Sequence, residues 1–147
     1  MKKETKYLFR VISINLLIAI LIMLILIDFD FTALLKFFID FLLNFLIEIT
    51  GLYATGYLIG QNLYQLKRNK YTIAHGVLSI FVVLFFGIIL GSTVGFIQEV
   101  LLDGGEYFLK EELFDYFAKP LLLIFLFGFF PTLISGILLG IKLRKAL

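Results

Sequence analysis

Hydrophobic residues fall into four long blocks, separated by short stretches that hold almost all the charge. The first block, Leu8 to Ile27, would span about 30 Å as a helix, the thickness of a bilayer's hydrocarbon core. Its notable polar interior group is Asn15, and it has a single alanine, Ala19, and no glycine, a composition suited to broad lipid contact. The second block runs from Phe31 to Leu66 without a proline or an obvious stop, too long for one perpendicular crossing. It divides into a lead-in, Phe31 to Asp40, and a crossing from about Phe41 to Asn62. The third block, Ile73 to Ile97, and the fourth, Leu121 to Ile141, contain no Asp, Glu, Lys or Arg. A water-soluble helix keeps a polar face, and these two have none. The pattern predicts an all-α fold: an integral membrane four-helix bundle forming one domain over residues 1–147.

The separating stretches alternate in sign. The N-terminal tail carries Lys2, Lys3, Lys6 and Arg10 against Glu4, and the connection 67–70 adds Lys67, Arg68 and Lys70. Lys142, Arg144 and Lys145 close the chain. Between these basic segments, Asp28, Asp30 and Asp40 face only Lys36, and the longest connection, 98–120, sets six acids against Lys110 and Lys119. Basic residues mark the cytoplasmic side of a membrane protein, so both termini are expected in the cytoplasm and the protein in the cell membrane, crossing four times. The formal net charge of +2 therefore hides a strong transverse segregation. The basic clusters also suit contact with anionic lipid headgroups. Within 98–120, Asp103-Gly104-Gly105 reads as a turn, and Glu106 to Ala118 can form a short interfacial helix in the outer loop between helices three and four. A lid over a cavity in the bundle is the sharper alternative.

Composition agrees. The hydrophobic fraction is 61% and the charged fraction 16%, against about 25% charged in soluble domains. The apolar part of the first block is longer than that of a secretory signal and ends in Asp28-Phe29-Asp30, without a small-residue cleavage site, so a retained helix is expected. No cysteine is present, which excludes disulfides and thiolate metal sites. No basic and aromatic stripe lies outside the apolar blocks, so nucleic acid is not an expected partner.

Small residues form ordered stripes. Gly87, Gly91 and Gly95 recur every four residues in the third block, as do Gly128, Thr132, Gly136 and Gly140 in the fourth. This spacing lets helix backbones approach closely in lipid, and the third and fourth helices are the expected partners. The second block repeats the device with Gly56 and Gly60. Thr55-Gly56-Tyr57-Leu58-Ile59-Gly60, followed by Leu63, echoes Ser135-Gly136-Ile137-Leu138-Leu139-Gly140, followed by Leu143. Pro131 is expected to distort the fourth helix, because it cannot donate to the carbonyl four residues back.

Chemistry-bearing candidates are few. Lys36, Asp40, Asn44 and Glu48 lie four apart and form a slowly drifting polar stripe. Glu48 falls about 10 Å inside the crossing, where an acid is costly and usually faces protein or a water-filled cavity. It is either a proton-binding group, a fastening for the bundle, or shallower than the frame implies. His75 belongs at the opposite mouth beside Gln61, Asn62 and Tyr71, too far along the axis to pair with Glu48. Phosphate-binding, zinc-protease and serine-hydrolase motifs are missing, the outer acids lack a calcium-loop spacing, and no cofactor is implied.

The sequence thus predicts a non-enzymatic membrane protein acting through helix contacts with another membrane protein or with itself, in an accessory, assembly or immunity-type role. The alternative is a small oligomeric transporter or channel using the line Asp40, Asn44 and Glu48.

Overall fold

The computed structural model describes residues 1–65, 71–98 and 113–146. Five helices carry these residues: α1 (Lys3–Leu26), α2 (Phe31–Asp40), α3 (Leu42–Gln65), α4 (Ile73–Ile97) and α5 (Lys119–Ala146). A π-helical turn, Phe114–Ala118, leads directly into α5. Four stretches are long and apolar enough to cross a membrane: α1, α3, α4, and the π-turn joined to α5. Helix is the required form there, since the hydrocarbon offers no partner for an open backbone group.

Two helices are longer than the apolar blocks alone predict. α1 begins at Lys3 rather than Leu8, and α5 begins at Lys119, before Leu121, and ends at Ala146. Charged side chains do not stop a helix whose backbone can still close its own bonds, so hydropathy marks the oily part and not the ends. Pro131 lies inside α5, which runs through it. The anticipated interfacial helix, Glu106 to Ala118, falls largely outside the described residues.

The long second block divides where its length demands. α2 starts on Asp30, whose side chain accepts from the backbone N–H groups of Thr32 and Ala33 at 2.9 and 3.0 Å. That is an N-cap satisfying two otherwise orphaned donors. At Phe41 the backbone leaves the helical region, with φ −108° and ψ 24°, and α3 follows. Between α1 and α2, Asp28 and Phe29 both have positive φ, 52° and 60°, and Phe29 N–H donates to the Leu24 carbonyl at 2.8 Å. Two consecutive left-handed residues without glycine make this a strained turn.

The four long apolar helices pack in a ring: α1 on α3, α3 on α4, α4 on α5, and α5 back on α1. Each neighbouring pair is antiparallel. Both termini and the end of α3 meet at one end, where Lys2 lies over the Tyr64 ring and Lys142 approaches the Tyr7 ring. The core concentrates at this terminal end, in Leu8, Leu63, Tyr71, Ile80, Leu139 and Leu143, with a second cluster of Ile12, Leu52 and Val83 beside it. Toward the far end the ring loosens. α5 buries nothing from Lys119 to Pro131, and α1 buries only Leu24 beyond Ile12.

Glycine sets the spacing of the ring. A Cβ on Gly76 of α4 would fall 2.6 Å from Gly140 Cα and collide with the Gly136 carbonyl. A Cβ on Gly136 would lie 2.8 Å from Val77 Cα, and one on Gly140 2.7 Å from Ile73 Cα. The α4–α5 seam is therefore backbone on backbone. In the α1–α3 pair, Gly60 faces Thr5, and Gly56 faces Ile12 and Phe9. The sequence echo thus has a spatial counterpart. In each hairpin, glycines four apart on the returning helix face residues four apart near the start of the outgoing one, Thr5 and Phe9 or Ile73 and Val77.

Candidate functional site: a polar seam between α3 and α4

Glu48 lies six residues into α3, about 9 Å along its axis. Its side chain packs on Gly91 of α4: a Cβ there would be 3.1 Å from Glu48 Cβ and 3.4 Å from Oε2. One turn toward the far end, Asn44 Nδ2 would be 3.0 Å from a Cβ on Gly95. One turn the other way, Leu52 fills the space at Gly87. The facing pairs 44/95, 48/91 and 52/87 hold one antiparallel register, so the α4 glycine stripe is occupied by these three α3 side chains.

Tyr116, on the π-helical turn, closes the seam from a third direction. Its ring carbons Cδ1 and Cε1 come within 3.1 and 3.2 Å of a Cβ placed on Gly95, and its ring meets Phe96 edge-on at 6.3 Å. Phe117 contacts Phe96 as well, at 5.9 Å. The wider π turn is a local register change of the kind often found near functional groups. Asn44, Glu48 and Tyr116 thus converge on Gly91 and Gly95. Among the described residues, no hydrogen bond or ion pair is formed by Glu48. Asp40, the outermost member of the sequence-defined stripe, is exposed at the end of α2 and lies outside the seam.

The small-residue positions separate by partner. Gly87, Gly91 and Gly95 face α3, whereas the sequence pattern pointed them toward the fourth helix. Gly136 and Gly140 do meet α4, but through Gly76, outside the stripe, and Thr132 is buried beside them. Gly76 and Gly87 are eleven residues apart and share one face of α4, within about 20°. That face meets the α5 backbone at the terminal end and the Leu52 side chain of α3 further along. Gly128 is different again. A Cβ there would touch only Ile124 and Thr132 of its own helix, at 3.8 and 4.0 Å.

Polar side chains also bridge helices at mid-depth. Asn15 Nδ2 of α1 donates to Ser135 Oγ of α5 at 2.8 Å, and Ser135 donates to the Thr132 carbonyl at 3.1 Å. Ser13 and Tyr53 join α1 to α3 through their hydroxyls at 2.7 Å. Hydropathy flags Asn15 as polar, yet a partner 120 residues away leaves no local trace.

At the terminal end Tyr71 ties three elements together. Its hydroxyl donates to the Leu63 carbonyl of α3 at 2.6 Å and lies 3.4 Å from Glu4 Oε1 of α1, just ahead of α4. Glu4 is 4% exposed and Tyr71 5%. Burial first, then the Glu4 charge and hydrogen bond, push the Tyr71 phenol above its ordinary 10.0. Thr5 is fully buried against Gly60, and its hydroxyl has no partner among the described residues.

His75 lies at this end. Its Nδ1 meets the Thr72 backbone N–H at 3.2 Å and the Thr72 hydroxyl at 2.7 Å, fixing the ring over the first turn of α4. It lines a groove of about 350 Å³ with Asn62, Leu63 and Ser79. Sixteen residues, or about 24 Å of helix, separate His75 from Gly91, the residue opposite Glu48. Among the described residues no group of three His, Cys, Asp or Glu could hold a metal ion. Comparison with protein-family models, curated proteins and solved structures found no match to this chain.

Proposed function

We propose that this is a multi-pass protein of the cell membrane, both termini cytoplasmic, that works through contacts between its helices and another membrane protein or a second copy of itself. Its role is then accessory, assembly or immunity-type. The observation that carries this reading is the loosened far end of the ring. There the neighbouring α1 and α5 expose most of their large side chains, Leu17 at 62% and Leu126 at 67% among them, and bury only Leu24. The glycine stripe Gly87, Gly91 and Gly95 is used up inside the chain and offers no docking face. Contacts with a partner helix therefore belong on the far halves of α1 and α5, next to the open notch at Gly128.

The test is cysteine crosslinking in native membranes, in a chain that has no cysteine of its own. Leu17→Cys and Leu126→Cys are expected to trap a dimer or a partner adduct, and Gly91→Cys is not. A strict monomer at both exposed positions would overturn the proposal.

A second reading, an oligomeric transporter or channel centred on Glu48, has one observation in its favour. The carboxyl lies within the apolar span and no described residue hydrogen-bonds it, although intramembrane acids are normally paired. Under this reading Glu48→Gln abolishes proton or cation flux into proteoliposomes. Flux unchanged by that substitution, or no flux in the parent protein, removes it.

A further inference from the structure

We infer that the terminal end of the bundle holds an anionic phospholipid, with its phosphate at the junction of α1 and α5. Ten of the thirteen Lys and Arg residues belong to the two tails and the connection 66–70, and the one acid that shares those segments is Glu4. Glu4 is buried and turned to Tyr71, so it neutralises nothing on the surface. The cations there meet rings instead: Lys2 Nζ is 3.1 Å from the Tyr64 centroid and Lys142 Nζ 5.0 Å from that of Tyr7. Among the described residues the one salt bridge, Lys119–Asp115, lies at the far end.

The α1–α5 junction has the geometry for a headgroup. Lys3, Tyr7 and Arg10 occupy one face of α1 by their spacing of four and three, and Tyr7 is where Lys142 of α5 approaches. Lys3, Arg10 and Lys142 are exposed, while Tyr7 is half-buried against the core. A tyrosine ring suits headgroup depth, and long basic side chains reach from the apolar zone to the same level. Lys142 at the Tyr7 ring, with Lys3 and Arg10 on the same face of α1 and no exposed acid in these segments, complements a phosphodiester, and the apolar helix faces beyond them accept its acyl chains. Basic pockets between spanning helices bind anionic lipid heads by this chemistry. The inference does not depend on the proposed helix contacts, which lie at the other end of the bundle.

The full-length chain, purified in detergent and supplied with equal phosphatidylglycerol and phosphatidylcholine, tests it by native mass spectrometry of the bound lipid. Phosphatidylglycerol is expected to be retained selectively, about fivefold more weakly in each of Arg10→Gln and Lys142→Gln, and less well as salt rises. Lys142→Arg is expected to keep the selectivity, and Lys119→Gln to leave it unchanged. Tyr7→Leu, which preserves the apolar packing, serves as a second variant if removing a charge impairs folding, and it is expected to weaken retention too. Equal retention of the two lipids would overturn the inference. So would an equal loss from Lys119→Gln, or full displacement of the lipid by inorganic phosphate at matched concentration.

Discussion

Adding a single methyl group at Gly76 is expected to destabilise the bundle more than the same change at any other α4 glycine. The Cβ would fall 2.6 Å from Gly140 Cα, where ordinary contact needs at least 3.4 Å. The obstacle is backbone, which cannot rotate aside, so α4 and α5 must separate by roughly 1 Å along the seam. A gap of that size forfeits a quarter to a half of each dispersion contact it opens. The opened contacts include Gly136 on Val77 and Gly140 on Ile73, so Gly76→Ala is expected to cost about 2–3 kcal/mol, the upper range for overpacking. Two controls share its chemistry. At Gly51 the nearest atom is Leu90 Cδ1, at 2.5 Å, the free end of a side chain that can turn away, and the cost should stay near 1 kcal/mol. At Gly128 there is open space beyond the helix's own atoms, and Ala gains roughly 0.5–1 kcal/mol through helix propensity. Equilibrium unfolding of the three variants in mixed micelles, followed by circular dichroism, gives the order. Gly76→Ala matching the parent protein, or Gly128→Ala proving as harmful as Gly76→Ala, would refute the backbone-contact reading of this seam.

Other perturbations reach different parts of the fold. Phe29→Gly relieves a positive φ of 60° at an exposed side chain and is expected to stabilise by about 1 kcal/mol, read from the same unfolding curves. Asn15→Leu removes the bond to Ser135 and should cost about 0.6 kcal/mol, the mean for such bonds in membrane bundles; a cost above 2 kcal/mol would mean the link is more than a single pair. Tyr71→Phe leaves the Leu63 carbonyl without its donor at 2.6 Å and is expected to cost about 1–2 kcal/mol. The Tyr71 phenol is raised in the folded chain, so the native state keeps a proton the unfolded state releases. Its contribution is complete below pH 10.0 and falls as pH climbs through the folded value. Unfolding from pH 8 to 11 should show that loss in the parent protein and a smaller one in Tyr71→Phe.

Much of this architecture is legible in the sequence because lipid imposes a simple rule: a crossing must be long, oily and helical. That rule locates α3, α4 and most of α1 and α5, and the excess length of 31–66 locates the break near Phe41. Periodicity identifies Gly56, Gly60, Gly136 and Gly140 as positions of close approach, because small residues four apart leave a groove on one face. It does not identify the neighbour that fills the groove. Gly91 reads the same whether a glycine or Glu48 lies opposite, and the choice is made by packing between helices far apart in the chain. Gly76 falls outside the four-residue repeat, although it makes the closest backbone-on-backbone contact. Tyr71 and Ser135 carry no local signal of their roles, since their partners Glu4 and Asn15 lie 67 and 120 residues away. Tyr116 joins Asn44 and Glu48 only through the π turn, a backbone feature with no reliable sequence signature.

The most direct check is topology, and the absence of native cysteine makes it clean. Single cysteines at Lys3, Asp30, Lys70 and Lys145 are labelled in intact cells with a membrane-impermeant maleimide, before and after permeabilisation. Asp30→Cys should react at once, and the other three only after the membrane is opened. Lys3→Cys and Lys145→Cys reacting from opposite sides would contradict a ring of four spanning helices whose ends meet at one surface.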